Sequence, residues 1–364
     1  MKAVVFDGTQ IEYTDVQLAS PGPGEVLVDI AAAGVCHSDL HVVRGEWSVP
    51  LPMVMGHEGS GVVASIGAGV TSLAVGDHVV LSWVPYCGKC RYCLLGRPAQ
   101  CELVATVVSP GGVLFDGTSR ISRSGEPVHH YLGVSSFAAQ AVVPESGAIK
   151  VRSDAPLDLI ALVGCAVATG IGAVRNTARF EAGATAAIIG CGGVGLSVVQ
   201  GARLESASVI LAVDVASDKL DLARKLGATE TLLVTPGMDV PAEMKKLVPQ
   251  GIDYVFDAIG KIATTEQAIQ ALGLGGCAVV VGLPPTGLTA RFDPLALAEA
   301  DQRILGCNYG STVPQRDIPR LVDELMSGDL DLESMVSARR PLSEARAALA
   351  DLGSGAALRQ LLIP

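Results

Sequence analysis

The glycine-rich turn Gly190-Cys191-Gly192-Gly193-Val194-Gly195 follows an apolar strand, Ala186–Gly190, and opens a helix, Gly193–Leu204. No other feature restricts the fold as tightly. Gly190 permits a tight turn, Gly192 lets backbone approach a pyrophosphate, and Gly195 lets helix and strand pack closely. The helix N-terminus adds amides and partial positive charge. Asp214, 24 residues beyond Gly190, ends the next strand, Val209–Val213. An acid there can bond both hydroxyls of an adenosine ribose and repels a 2′-phosphate, which favours NAD over NADP; a helix-capping aspartate is the plainer alternative. From about residue 167 apolar strands alternate with helical segments: Lys219–Leu226, Tyr254–Asp257, Thr265–Leu272 and Ala278–Gly282. That rhythm predicts a parallel α/β sheet.

Upstream, Cys87, Cys90, Cys93 and Cys101 fall within fifteen residues. Four thiolates so spaced can close a tetrahedral zinc site with no open position, a structural role. An iron–sulfur cluster is the competing use, but ferredoxin-type runs end in a three-residue gap followed by proline, whereas here the gap is seven and Glu102 follows. The surrounding segment, 86–130, reads as irregular and pinned by that metal. Residues 1–80 show short β-rich runs broken by glycine and proline, which suggests antiparallel sheet or barrel. A helix over Ile318–Ser327 and a last β-rich piece, Leu358–Pro364, complete the reading.

At 364 residues the chain exceeds the roughly 250–300 at which one core stops growing, so two domains are expected. A net charge of −11, with Lys and Arg scattered and never more than two in a row, argues against nucleic acid or a membrane surface as partner. The start reaches an acid, Asp7, too early for a signal peptide, and an odd count of 9 cysteines, four of them clustered, fits a reducing cytoplasm. A catalytic metal would need three protein ligands and an open position. Cys36, His57 and Cys165 are available donors, but spacing does not join them, and each alone has a dull reading as a core residue.

The run Gly56-His57-Glu58-Gly59-Ser60-Gly61-Val62-Val63, the cysteine lobe and Gly190–Gly195 stand in one order. In that order, and from the first strand to Leu358-Arg359, the chain resembles the zinc-dependent medium-chain alcohol dehydrogenases. The segment Asp116-Gly117-Thr118-Ser119-Arg120 is similar to the long loop of the dimeric animal and plant enzymes and of the formaldehyde-oxidising branch. The resemblance implies a Rossmann doubly wound parallel sheet domain, 167–308, plus a GroES-like β-rich catalytic domain with a zinc lobe, 1–166 and 309–364. It implies a catalytic zinc on Cys36, His57 and Cys165, with Glu58 beside it, and a structural zinc on the four lobe cysteines. Ser38 would take the substrate hydroxyl proton, and His41 would hand it to solvent through the nicotinamide ribose.

By the same resemblance His37 and Arg359 contact the cofactor phosphates, Lys219 the adenosine side, and Thr169, Gly193 and Val194 belong to the NAD site. Trp47, Trp83 and Leu283 would line the substrate channel. With aromatics at 4% and only two tryptophans, both indoles there suggest an apolar pocket for aromatic, allylic or medium-chain primary alcohols. The branch that oxidises a glutathione adduct of formaldehyde has an acid at the position of Trp47 and an arginine in the segment before Asp116. This chain has Trp47, and no arginine between Cys101 and Asp116. Oxidation of an adduct with another thiol and a catalytically silent zinc-binding relative stay open as alternatives. The expected partners are a small alcohol or aldehyde and a second copy of the chain, as a homodimer or tetramer.

Overall fold

The computed structural model describes residues 1–364. The chain divides into two units: Met1–Cys165 with Val313–Pro364, and Ala166–Thr312. The second junction falls a few residues later than the sequence suggested. Its cause is local: Thr312 donates to the Ala168 carbonyl at 3.3 Å, and Gly310 packs so closely on Ala168, Thr169 and Gly172 that a side chain there would clash.

In the first unit the strand Glu25–Gly34 organises a seven-stranded sheet. It pairs antiparallel with Gly59–Ile66, Gln140–Pro144 and the C-terminal strand Arg359–Ile363. Ala32 lies opposite Ser60, and Gly34 opposite Leu361, so the end of one strand, the start of another and the returning C-terminus meet at one edge. A six-stranded sheet holds Lys2–Phe6 and Ile11–Asp15. Val4, Phe6, Ala33, Met53, Phe137 and Leu362 share one buried cluster.

The segment 86–130 is more regular than its composition suggested. It contains helical turns at Arg91–Leu94 and Val104–Val108 and a hairpin of Ile121–Arg123 with Glu126–His130. The hairpin turns on Ser124-Gly125, both at positive φ (53° and 86°), the geometry of a two-residue loop. Arg120 anchors it with bonds to both oxygens of Glu25, at 2.8 and 2.7 Å, and to Asp116 at 2.6 Å. Ion pairs, as well as the proposed metal, therefore pin this region.

The second unit carries a six-stranded, all-parallel sheet. Its order is Glu230–Leu233, Val209–Asp214, Thr185–Ile189, Tyr254–Asp257, Cys277–Val280, Arg303–Gly306. This is the doubly wound order in which ligands bind where the strand sequence reverses. That point lies between Thr185–Ile189 and Tyr254–Asp257, directly beside the glycine turn. The outer strands Glu230–Leu233 and Arg303–Gly306 escaped the sequence reading because four residues that open on an exposed charged side chain give too short an apolar run. No single helix in the chain is long and apolar enough to cross a membrane.

Candidate active site and metal centres

Strand register brings the dispersed donors together. Cys36 leaves the strand Glu25–Gly34 and precedes the helix His37–Val43, while His57 and Glu58 immediately precede Gly59–Ile66. Cys165 follows the tight turn Ala161–Gly164, where Gly164 lies so near the Leu81 carbonyl that a Cβ would collide with it. One donor atom from each of Cys36, His57, Glu58 and Cys165 then lies within 4.8 Å of the others, all four residues being buried.

Surrounding groups orient this set. Asp39 is wholly buried; one oxygen accepts from the Cys36 backbone N–H at 3.1 Å and the other meets His57 Nδ1 at 3.3 Å. His57 Nε2 is left facing inward, buried and without a protein partner. A carboxylate behind a histidine is the usual support of a metal-binding imidazole. Tyr131 packs edge-on against the His57 ring, centroids 5.4 Å apart, and its hydroxyl donates to the Ser38 carbonyl at 2.9 Å. Sequence reasoning assigned no role to Asp39 or Tyr131. The acid three residues after Cys36 was the available signal, as a residue able to bond back to the start of its helix.

Glu58 forms an ion pair with Arg359 Nη2, leaving Oε1 buried and unpartnered. Burial pushes the Glu58 carboxyl up to about 7 against the pull of Arg359. A Cβ on Gly34 would overlap this pair, so glycine there makes room for it. Arg359, expected at the cofactor phosphates, is 3% exposed and directs Nη2 to Glu58.

The lobe cysteines form a second set, with Sγ atoms again within 4.8 Å of one another. Cys90 and Cys93 are 3.4 Å apart, Cys87 and Cys93 4.0 Å. A tetrahedron with Zn–S arms of about 2.3 Å has edges of about 3.8 Å, so the spacing suits zinc. Backbone N–H groups of Cys87 and Cys90 donate to the sulfurs of Cys101 and Cys87, 3.3 Å each, which favours thiolate. All nine cysteines are free of disulfides.

The family described as "Alcohol dehydrogenase GroES-like domain" matches residues 22–153, and that described as "Zinc-binding dehydrogenase" matches 193–327. The chain is 36% identical to S-(hydroxymethyl)glutathione dehydrogenase of Escherichia coli O139:H28 over 99% of this chain and 98% of that protein. The chain belongs to the zinc-dependent alcohol dehydrogenases of the medium-chain dehydrogenase/reductase family. Among solved structures, this dehydrogenase superposes on a zinc-binding-domain alcohol dehydrogenase protein from Burkholderia ambifaria with a TM-score of 0.95 and 38% identity. It superposes on benzyl alcohol dehydrogenase from Acinetobacter calcoaceticus at 0.93 and 35%. In both cases all of this chain and 98% of the other are covered.

In the dehydrogenase, Ser38 Oγ stands 3.8 Å from Cys36 Sγ. His41, one turn further along the same helix, is partly exposed and pairs with Glu46. Trp47 stacks on the His41 ring, centroids 4.5 Å apart and planes at 19°. Trp83, half-buried, packs on the cluster of Val26, Val28 and Val63. His37 is exposed and Leu283 is 50% exposed.

In the second unit, Gly190 has φ +97°, and a Cβ on Gly195 would overlap the Gly190 carbonyl. Space around the Cβ position of Gly192 is open, as a cradle for phosphate requires. Gly193 and Val194 form the first turn of the helix and are part-exposed. Asp214 is buried and accepts from the backbone N–H groups of Cys191 (2.7 Å) and Ala216 (3.0 Å). It thus ties the glycine turn to its own strand end. Lys219 lies on the following helix, and Thr169 is buried in Ala166–Gly172.

Proposed function

We propose that this chain is an NAD-dependent zinc alcohol dehydrogenase that interconverts a primary alcohol and its aldehyde. The observation that carries this reading is the convergence of Cys36, His57 and Cys165 around a buried His57 Nε2 that nothing in the protein satisfies. The donor set, two soft sulfurs and an imidazole, suits catalytic zinc. Zinc held there would supply Lewis acidity toward an alcohol or aldehyde oxygen, and the nicotinamide a hydride acceptor or donor.

The chain's own residues supply the rest. Asp39 fixes the His57 tautomer, and Arg359 holds Glu58 at the edge of the donor set, leaving a position for substrate. Ser38, beside Cys36, takes the hydroxyl proton. His41, three residues on and on the same helix face, passes it to water. The four lobe cysteines hold a second zinc that closes a segment with little core of its own. NAD is favoured over NADP because Asp214, at the strand end, would repel a 2′-phosphate.

An aromatic or medium-chain alcohol is supported by Trp47 beside His41 and by the absence of the acid and arginine that the glutathione-using branch employs. Leu288, Phe292 and Leu295, each at least half exposed in the single chain, support assembly as a homodimer. A screen of alcohols and aldehydes with NAD⁺ and NADP⁺, with and without low-molecular-weight thiols, tests the reading. Thiol-independent reduction of NAD⁺ by a primary alcohol is expected; no turnover across the panel by zinc-loaded protein would refute it.

A further inference from the structure

The helix His37–Val43 ends in a glycine turn that does more than stop it. Gly45 sits at φ +70°, with open space where its Cβ would be, so glycine is required there by the backbone alone. The Gly45 N–H bonds the Val42 carbonyl at 3.0 Å, and the Glu46 N–H bonds the His41 carbonyl at 2.9 Å. These are the two crossed bonds of a Schellman motif, which sets the residue after the glycine against the residue two before the last helical one. That pair is usually apolar. Here it is Glu46 and His41, and the carboxylate Oε2 meets His41 Nδ1.

Trp47 then covers the face of the same ring. The imidazole is held by a carboxylate at Nδ1 and an indole on its face. Other charged groups nearby are committed elsewhere. Arg44 reaches the Gly353 carbonyl, Asp39 holds Cys36 and His57, and Asp351, on the helix Ala345–Ser354 packed against this one, pairs with Arg340.

We propose that Glu46 is a positioning residue for His41: it holds the Nδ1–H tautomer, so that Nε2 is the nitrogen available to receive a proton, with Trp47 fixing the ring plane. A neutral histidine carries one proton, and a carboxylate that accepts from Nδ1–H leaves the Nε2 lone pair free. The proposal rests on the functional reading above, in which His41 passes protons to water.

The test uses zinc-loaded enzyme labelled with ¹⁵N-histidine. The chain has six histidines, and the His41 signals are those lost in His41→Gln. Wild type should show His41 protonated at Nδ1. Glu46→Ala should move it to a mixed or Nε2–H tautomer and lower kcat for alcohol oxidation about 10-fold, less than the roughly 10²-fold or more of a whole acid–base group, because His41 itself is kept. The KM for alcohol should stay unchanged, and added imidazole buffer should restore much of the rate. Gly45→Ala, which shifts Glu46 without filling space, should do the same to a lesser degree, while Glu46→Gln, able to accept from Nδ1–H, should keep the tautomer. If wild type turns over alcohol and Glu46→Ala matches it in both kcat and the His41 spectrum, the proposal is overturned alone. If wild type turns over no alcohol, the functional reading fails and the proposal falls with it.

Discussion

The two cysteine-bearing clusters are opposites in construction. The lobe draws four identical ligands from fifteen consecutive residues, three of them part-exposed and Cys101 buried, with backbone N–H groups as their main support. The other set gathers Cys36, His57 and Cys165 from three distant segments into a wholly buried place, backed by Asp39, Glu58, Arg359 and Tyr131. A site that only braces a segment can be local. A site that must keep one position open needs each ligand held from behind, and those holders come from wherever the fold brings them.

This contrast predicts opposite consequences for two similar substitutions. Cys36→Ala should lower kcat/KM for alcohol by about 10³-fold or more, through loss of the Lewis acid, with Tm within a few degrees of wild type. Cys93→Ala should lower Tm by about 10 °C or more, because ligand loss releases metal whose binding is folding free energy. Steady-state kinetics and thermal melts on both variants check this, and the reverse pattern would break the comparison.

Asp39→Asn should cost about 10–100-fold in zinc affinity or turnover, the usual cost of losing the group behind a histidine ligand. Competition with a chelator reads it, and an affinity equal to wild type would remove Asp39 from its supporting role.

A smaller effect sharpens the account of the segment between the clusters. His130 is buried, its Nε2 accepts from the Arg120 N–H at 3.1 Å, and burial, helped by Arg120 and His129, pushes its pKa down to about 3. The unfolded chain takes up that proton near pH 6.5, whereas the folded chain resists until about 3. The stability His130 contributes as a neutral group is therefore complete above pH 6.5 and is lost as pH falls toward 3, by about 1.4 kcal/mol per unit. In His130→Gln the slope of unfolding free energy between pH 6 and 4.5 should drop by about one proton; identical slopes would contradict it.

What the sequence made legible follows the same division. The lobe and the Gly190–Gly195 turn were visible because their chemistry is local: ligand spacing in one, turn conformation and helix start in the other. Cys36, His57 and Cys165 became a set only through resemblance, since their meeting depends on Ala32 lying opposite Ser60 and on Gly164 passing close to Leu81. The pairing of Arg359 with Glu58 was not legible, because it depends on the C-terminal strand pairing at Gly34 and delivering the side chain to the buried site. The hairpin at 121–130 was read as irregular, since its strands are short and an ion pair from Arg120 to distant Glu25 anchors them. Glu46 carried a readable signal, a glycine closing a helix with a histidine upstream, but its partner emerges only when the turn's bonds are known.

The central claim is that the two clusters hold two different zinc ions, one reactive and one bracing. Zinc per folded chain, measured by elemental mass spectrometry on wild type, Cys36→Ala and Cys93→Ala, tests it most directly. The account predicts about two ions in wild type and about one in Cys36→Ala, whose Tm stays near wild type while its turnover is gone. One ion in wild type, or two retained in Cys36→Ala, would contradict it.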